Sequence, residues 1–257
     1  MTFKQTATKA AKEAGQLLLE NFKKLGGRIF KFKNKHEILT SLDLQAEKII
    51  LKIIRKNYPD HQILSEEAGN SGPKSNYLWI VDPLDGTTNY SIGNPIYNTS
   101  IALAHKDEII LGVVYAPSLG ELYLTEKDKG AWLNGQLIHV SKKNKLSEAL
   151  LTFCHGRKEK DIKRTIKIYQ KFKLLGFDMR QLGSAELELG FVARGSTECI
   201  MIPGANIWDV AAGVLLIKEA GGKITDFQGK EWNLKSKDML ASNKKIHNQI
   251  LKIISKL

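Results

Sequence analysis

The sequence predicts a layered α/β protein with large mixed sheets and packed helices. Segments with helical apolar spacing alternate with short strand-like runs along the chain. Hydrophobic residues make up 42% of the 257 residues, which is enough to bury a sizeable core. Strands and helices mixed in this order are typical of folds in which sheets and helices form separate layers.

The first part of the chain predicts two helices followed by two strands. Residues 4–22 have the spacing of an amphipathic helix, and a second helix begins near Asp43 and stops before residue 59. A short strand covers residues 62–64. An apolar strand covers residues 77–81 and is expected to stop at Pro83, because proline cannot donate a ladder hydrogen bond.

Residues 97–140 predict strands joined by tight turns, with turn chemistry at Lys106-Asp107 and Asn134-Gly135. After residue 145 strands and helices alternate. The predicted strands there are residues 150–154 and 198–202, and the predicted helices are residues 161–176, 185–195, 209–222 and 244–257. We therefore divide the chain into an N-terminal α+β half (1–145), which looks the more antiparallel, and a C-terminal α/β half (146–257), packed as one unit.

Composition and charge restrict the class of protein. The formal charge of +12 would attract anions, but the lysines are spread along the chain, which favours solvated surfaces over a nucleic-acid patch without excluding nucleic acid. Cys154 and Cys199 cannot build a disulfide framework and are read as reduced, buried thiols. With no signal-peptide core and no long apolar stretch, we expect a soluble, cytoplasmic protein without a membrane partner.

The most informative segment follows the strand at residues 77–81. Asp82 and Asp85 would repel each other unless a cation neutralised them, and with the carbonyl of Leu84 they form a set of hard oxygen ligands that suits magnesium. The amides of Gly86 and Thr87 would hold a phosphate oxygen at a helix start. Ordinary turns also use Asp-Pro and Asp-Gly, but they explain less well why these groups come together within six residues.

Two further acidic positions also lie at the ends of predicted elements. Glu66 and Glu67 follow the strand at residues 62–64, and Asp209 precedes an apolar helix. Taken singly, the glutamates fit a solvated loop, and the aspartate fits stabilisation of a helix dipole. Taken together, three acidic element ends indicate a shared cation.

Three motifs in this order resemble the inositol monophosphatase family, part of the magnesium-dependent, lithium-sensitive sugar phosphatase superfamily. They are EEAG at 66–69, DPLDGTTNY at 82–90, and WDVAAG at 208–213 followed by EAGG at 219–222. The resemblance covers nearly the whole chain. It implies a layered αβαβα sandwich, a homodimer, and two or three Mg²⁺ ions. The implied activity is hydrolysis of inositol 1-phosphate or a related small sugar phosphate by attack of a metal-activated water.

The resemblance also implies roles for individual residues. The metal ligands are Glu66, Asp82, the carbonyl of Leu84, Asp85 and Asp209. The residues that position or activate the attacking water are Glu67 and Thr87, with Asp43 in the same network. The residues that contact the phosphate or the hydroxyl-bearing ring are Asp85, Gly86, Thr87, Gly183, Ser184, Ala185 and Asp209.

The sequence departs from the family pattern at Ile202 and Leu42. Animal members have a glutamate that contacts a ring hydroxyl at the first position, and isoleucine cannot accept that hydrogen bond. Substrate selection therefore stays open, with fructose-1,6-bisphosphatase and nucleotide 3'-phosphatase or NADP phosphatase activity as alternatives within the superfamily. An alternative of a different class is an RNA-binding or transcription-complex factor, because some bacterial relatives are similar to transcription-associated factors.

Overall fold

Two mixed β-sheets and their helices form the computed structural model, which describes residues 1–25, 31–34, 37–39 and 41–257. In these residues the helices are α1 (Phe3–Leu25), α2 (Ser41–Asn57), α3 (Thr87–Ser91), α4 (Glu159–Leu174), α5 (Ala185–Ala193), α6 (Ala211–Glu219) and α7 (His247–Ile254). The strands are β1 (Lys31–Asn34), β2 (Glu37–Leu39), β3 (Gln62–Ser65), β4 (Gly69–Ser71), β5 (Tyr77–Asp85), β6 (Asn98–His105), β7 (Glu108–Ala116), β8 (Glu121–Glu126), β9 (Ala131–Leu133), β10 (Gln136–Ile138), β11 (Leu151–Phe153), β12 (Met179–Arg180), β13 (Cys199–Ile202), β14 (Lys223–Thr225) and β15 (Met239–Ser242). This element order confirms the predicted mixed α/β class.

The two sheets differ in strand direction. Among the described strands, the larger sheet has the order β10-β9-β8-β7-β6-β5-β3-β4 and is antiparallel except for the parallel pair β3 and β5. The smaller sheet has the order β12-β11-β13-β15-β14, with parallel pairs on both sides of β11 and antiparallel pairs beyond β13. The part of the chain before residue 145 is thus the more antiparallel one, as predicted. The division into halves at residue 145 stays a prediction.

Three hydrophobic clusters stack the elements into five layers. Helices α1 and α2 cover the outer face of the larger sheet, where Ile50 and Trp79 share one cluster. Helices α5 and α6 lie between the sheets, because Leu189 shares a second cluster with Ile80 of the larger sheet and Ile200 of the smaller. Helices α4 and α7 cover the outer face of the smaller sheet. The order is the αβαβα sandwich that the resemblance implied.

Strand β5 is longer than the sequence predicted. We expected it to stop at Pro83, but it continues to Asp85, with an irregular register against β6 between Asp82 and Asp85. A bulge of this kind tolerates a residue without an N–H group. The Pro83 carbonyl accepts a hydrogen bond from the Thr99 hydroxyl at 2.9 Å, so the partner strand holds the segment that lies beyond the apolar run.

The two predicted hairpin turns are confirmed. Lys106 and Asp107 have φ values of 49° and 66° between β6 and β7, and Asn134 and Gly135 have φ values of 50° and 80° between β9 and β10. Two consecutive residues with positive φ match the twist of antiparallel strands.

Cys154 and Cys199 are both buried and unpaired, as expected. Searched over the part of the chain that the structure describes, no helix is both long enough and apolar enough to cross a bilayer.

Candidate active site

The acidic side chains of the first two motifs meet at one edge of the larger sheet. Strands β3 and β5 are parallel with Ser65 opposite Val81, so their carboxyl ends lie side by side. The amide of Glu66 donates to the carbonyl of Val81 at 3.2 Å. Glu66 and Asp82 therefore follow neighbouring strand positions, and each carboxyl group affects the pKa of the other.

Asp85 is held by four hydrogen bonds. Its Oδ2 accepts from Asn98 Nδ2 at 2.7 Å, from Ser184 Oγ at 2.8 Å and from the amide of Glu186 at 2.9 Å. Its Oδ1 accepts from the amide of Ala185 at 3.2 Å. The carboxylate therefore lies at the N-terminus of α5, and its position is set by both sheet and helix.

Gly86 makes the turn that follows Asp85. Its φ is +88°, and a Cβ placed there would lie 2.8 Å from the carbonyl oxygen of Ile96. Both the left-handed backbone and the close approach require glycine. The turn leads into the five-residue helix α3, which begins at Thr87.

Thr87 and Asp43 are brought together across the chain. The Thr87 hydroxyl lies 3.2 Å from Asp43 Oδ1 and 3.0 Å from the carbonyl oxygen of Leu84, and it can donate to either acceptor. Asp43 is buried in the first turn of α2. The predicted network of Thr87 and Asp43 is thus present as a contact, whereas Glu67 is half-buried beside Glu66.

A cavity of about 460 Å³ lies over these groups. The predicted site residues that line it are Glu66, Asp82, Leu84, Asp85, Gly86, Thr87, Gly183, Ala185 and Asp209. The predicted residues that do not line it are Asp43, Glu67 and Ser184. The Ser184 side chain is fully buried and donates to Asp85.

Asp209 enters the cavity from the central helical layer. It lies two residues before α6, which begins at Ala211 rather than at the predicted residue 209. Its Oδ2 accepts from the amide of Asn206 at 3.0 Å. Residues from both sheets and from the helices between them therefore surround one cavity.

The carboxyl groups of the cavity are unfavourable to ionise. Burial, followed by repulsion from Asp209 and Glu67, raises the pKa of Glu66 to about 8. Burial and the neighbouring Glu66 raise the pKa of Asp82 well above its usual value. Burial also raises the pKa of Asp209 to about 6. These shifts share one physical cause, which is the cost of placing several charged carboxylates together away from water.

The donor set fits a divalent cation by its chemistry. Carboxylate oxygens with one backbone carbonyl are the ligands that Mg²⁺ prefers, and a cation would remove the repulsion that raises the pKa values. Over the residues that the structure describes, no three acidic, histidine or cysteine side chains are already gathered into a metal cage.

Arg157 lies in the cavity wall and was not anticipated from the sequence. Its Nη2 is 3.2 Å from Oε1 of Glu66, and burial lowers its pKa. The preceding Gly156 allows this placement, because a Cβ there would lie 2.3 Å from the carbonyl oxygen of Gly204. The available signal was a glycine directly before a basic segment. The many charged residues of that segment instead indicated an ordinary solvated surface. His155 also lines the cavity.

Glu186 is a second residue that sequence reasoning missed. It is fully buried, and its carboxylate accepts from the amides of Ala212 at 3.0 Å and Gly213 at 2.7 Å. Its own amide donates to Asp85. It therefore connects Asp85 to the first turn of α6, next to Asp209. Glutamates placed among the apolar residues of α5 were the signal that could have identified it.

Comparisons with known proteins agree on one family. A model of the inositol monophosphatase family matches residues 2–257, which confirms the resemblance carried by the three motifs. A protein of Thermotoga maritima named fructose-1,6-bisphosphatase/inositol-1-monophosphatase is 36% identical over 252 residues, covering 97% of this chain and 94% of that protein. A putative Nus factor SuhB of Neisseria meningitidis serogroup B is 36% identical over 255 residues, covering 98% of both. The crystal structure of the extragenic suppressor protein suhB from Bartonella henselae superposes with a TM-score of 0.91 at 30% identity, covering 98% of both chains.

Proposed function

The chain belongs to the inositol monophosphatase family, and we propose that it is a magnesium-dependent phosphomonoesterase. The observation that carries this proposal is the convergence of Glu66, Asp82, Asp85 and Asp209 around one cavity beside Thr87. Their raised pKa values reflect the cost of ionising several carboxyl groups inside one buried cavity, a cost that bound cations would offset. A site for cations and a phosphate group accounts for this arrangement better than a structural role does.

The metal ligands in this proposal are Glu66, Asp82, the carbonyl of Leu84, Asp85 and Asp209, for two or three Mg²⁺ ions. Bound magnesium would activate water and offset the charge of the phosphate group. The chain's part is to fix the oxygen donors in advance. Among these ligands, Asp85 has the most firmly fixed position, because four hydrogen-bond donors hold its carboxylate.

Thr87 and Glu67 are proposed to orient the attacking water. When the Thr87 hydroxyl donates to Asp43, its lone pairs can accept a proton of that water. Glu67 is the adjacent acid, and its charge already acts on Glu66. Asp43 does not line the cavity, so we assign it the role of positioning Thr87.

The substrate in this proposal is inositol 1-phosphate or a related small sugar phosphate. Gly86 and Thr87 are assigned to the phosphate, and Gly183 and Ala185 to the hydroxyl-bearing ring, because all four line the cavity. Ile202 also lines it and offers no hydrogen bond, which leaves fructose 1,6-bisphosphate, a 3'-phosphorylated nucleotide and NADP as alternatives. The homodimer implied by the family resemblance stays part of the proposal.

Phosphate release from a panel of phosphomonoesters tests this function. The panel holds inositol 1-phosphate, fructose 1,6-bisphosphate, histidinol phosphate, 3'-phosphoadenosine 5'-phosphate and NADP, each with magnesium and with EDTA. We expect release only with magnesium, and its loss in Asp85→Asn. The exposed Asp178→Asn, which changes the same charge at a residue that does not line the cavity, serves as the control. Release that persists in EDTA, or in Asp85→Asn, would contradict the proposed site.

A second candidate function is binding to RNA or a transcription complex. It is favoured by the charge of +12 and by the relative named a putative Nus factor, which is covered over 98% of its length. Retention on immobilised RNA across a salt series tests it, because many phosphate contacts give a steep salt dependence. Binding that survives in Asp85→Asn would separate this role from catalysis, and elution at low salt would rule the RNA contact out.

A further inference from the structure

A second cavity adjoins the active-site cavity and differs from it in charge. Its volume is about 380 Å³, and we call it the basic groove. Its cationic lining residues are Arg157, Lys158, Lys160, Arg164 and Lys237. Glu66, Arg157 and Asn206 line both cavities. A small molecule with one group in the first cavity could therefore extend directly into the groove.

The acids of the groove are already engaged by its arginines. Arg164 makes two hydrogen bonds to Asp238, at 2.8 and 2.6 Å, and lies 3.9 Å from Asp161. Arg157 contacts Glu66 at 3.2 Å. These pairs account for every acidic residue that lines the groove. Because two arginines face three acids, the positive formal charge of the groove comes from its three lysines.

The three lysines of the groove are not engaged by its acids. Lys158, Lys160 and Lys237 are exposed, and within the described ranges none of them forms an ion pair. Lys158 and Lys160 lie at the start of the 16-residue helix α4, whose N-terminal dipole adds to the positive potential. A concave surface lined by three exposed lysines beside the active-site cavity attracts anions.

We propose that the basic groove binds a second anionic group of the substrate, which is a small polyol or sugar carrying two phosphate groups or a phosphate and another anion. The inference rests on the proposed phosphatase function and narrows its substrate class. Ile202 is consistent with it, because this part of the active-site cavity adds no carboxylate that would repel a second anion. Selection would then depend on charge at the groove rather than on a hydrogen bond to a ring hydroxyl.

Turnover of two matched substrates tests the proposal. Fructose 1,6-bisphosphate and fructose 1-phosphate share one ester and differ in the second phosphate. We expect the triple variant Lys158→Ala, Lys160→Ala, Lys237→Ala to lower kcat/KM for the bisphosphate about tenfold or more, mainly through KM, and to change the monophosphate by about twofold or less. The matched control is Lys163→Ala, Lys167→Ala, Lys171→Ala, which removes the same charge from exposed positions elsewhere on α4. We expect the control to alter neither substrate selectively.

A binding measurement separates failure of the groove from failure of the phosphatase proposal. Calorimetric titration of both fructose esters into Asp85→Asn, with and without the three groove substitutions, needs no turnover. Tighter binding of the bisphosphate that disappears with the lysines supports the groove even if no ester is hydrolysed. Equal binding of both esters, or equal weakening of both in the groove variant, overturns the proposal even if the enzyme is an active phosphatase.

Discussion

The active-site cavity and the basic groove share a wall but are built in different ways. The acids of the cavity are largely buried, and Asp85 accepts hydrogen bonds from two side chains and two amides. The cations of the groove include three exposed lysines without ion pairs in the described residues. A buried carboxylate acts through its exact placement, whereas an exposed lysine acts through a screened field. Substitutions should therefore have large, position-specific effects in the cavity and graded effects in the groove.

The largest effect is expected when single carboxylates of the cavity are neutralised. Asp82→Asn and Asp85→Asn should each lower kcat by about 100-fold or more, because each removes a proposed metal ligand. Their effects on stability should differ in EDTA. Asp82→Asn relieves repulsion by Glu66 and should raise the melting temperature. Asp85→Asn directs an amide toward existing donors and should lower it.

Thermal melts of both variants with EDTA measure this contrast. An equal shift in both would show that the hydrogen bonds around Asp85 do not set it apart from Asp82.

The next largest effect is expected in how the free energy of unfolding depends on pH, which tests the buried acids of the cavity. A carboxyl group with a higher pKa in the folded protein takes up a proton on folding, so its stabilising effect is lost as the pH rises toward that value. The pKa is about 8 for Glu66 and about 6 for Asp209. Without magnesium, we expect the free energy of unfolding to fall by about 2–4 kcal/mol between about pH 5 and pH 8.

Urea unfolding at several pH values in EDTA measures this slope. Glu66→Gln should flatten it, and added magnesium should restore stability at the alkaline end. A slope that is unchanged in Glu66→Gln would assign the proton uptake to other groups.

A smaller effect is expected from Glu186, which connects Asp85 to α6. Glu186→Gln leaves one of two backbone donors without its carboxylate acceptor. We expect the magnesium concentration for half-maximal thermal stabilisation to rise about tenfold, the usual size of such second-layer effects. The matched variant is Glu188→Gln on the same helix. That residue is equally buried, but its carboxylate accepts from the amides of Leu182 and Gly183.

Glu188→Gln should instead raise KM, since Gly183 lines the cavity, and should leave the magnesium requirement near that of the wild type. Identical behaviour of the two variants would mean that Glu186 supports the fold rather than the position of Asp85.

The smallest effect is expected from salt. Because the groove lysines are exposed, their field is screened over about 10 Å at 0.1 M ionic strength. The KM for fructose 1,6-bisphosphate should rise several-fold more than that for fructose 1-phosphate as potassium chloride is added. The difference should vanish in the Lys158→Ala, Lys160→Ala, Lys237→Ala variant, and its persistence there would place the anion contact elsewhere.

The elements and the acidic motif could be predicted because both are local features. Apolar spacing gave the helices and most strands, and the turn at Asn134-Gly135 follows from residues that tolerate positive φ. The predicted end of β5 was wrong, because the bulge at Pro83 depends on pairing with β6. The start of α6 at Ala211 was also missed, since Glu186 from α5 accepts hydrogen bonds there.

The amino-acid sequence by itself determined which acids follow strand ends, and it predicted a cation site there because like charges a few residues apart repel each other. Only the tertiary structure decided what surrounds them. Ser184 supports Asp85 from 99 positions away, and Arg157 contacts Glu66 from 91 positions away. Neither contact produces a periodic pattern in the amino-acid sequence. Local spacing fixes which face a residue occupies, whereas partners across the fold are chosen by the packing of the sheets and helices between them.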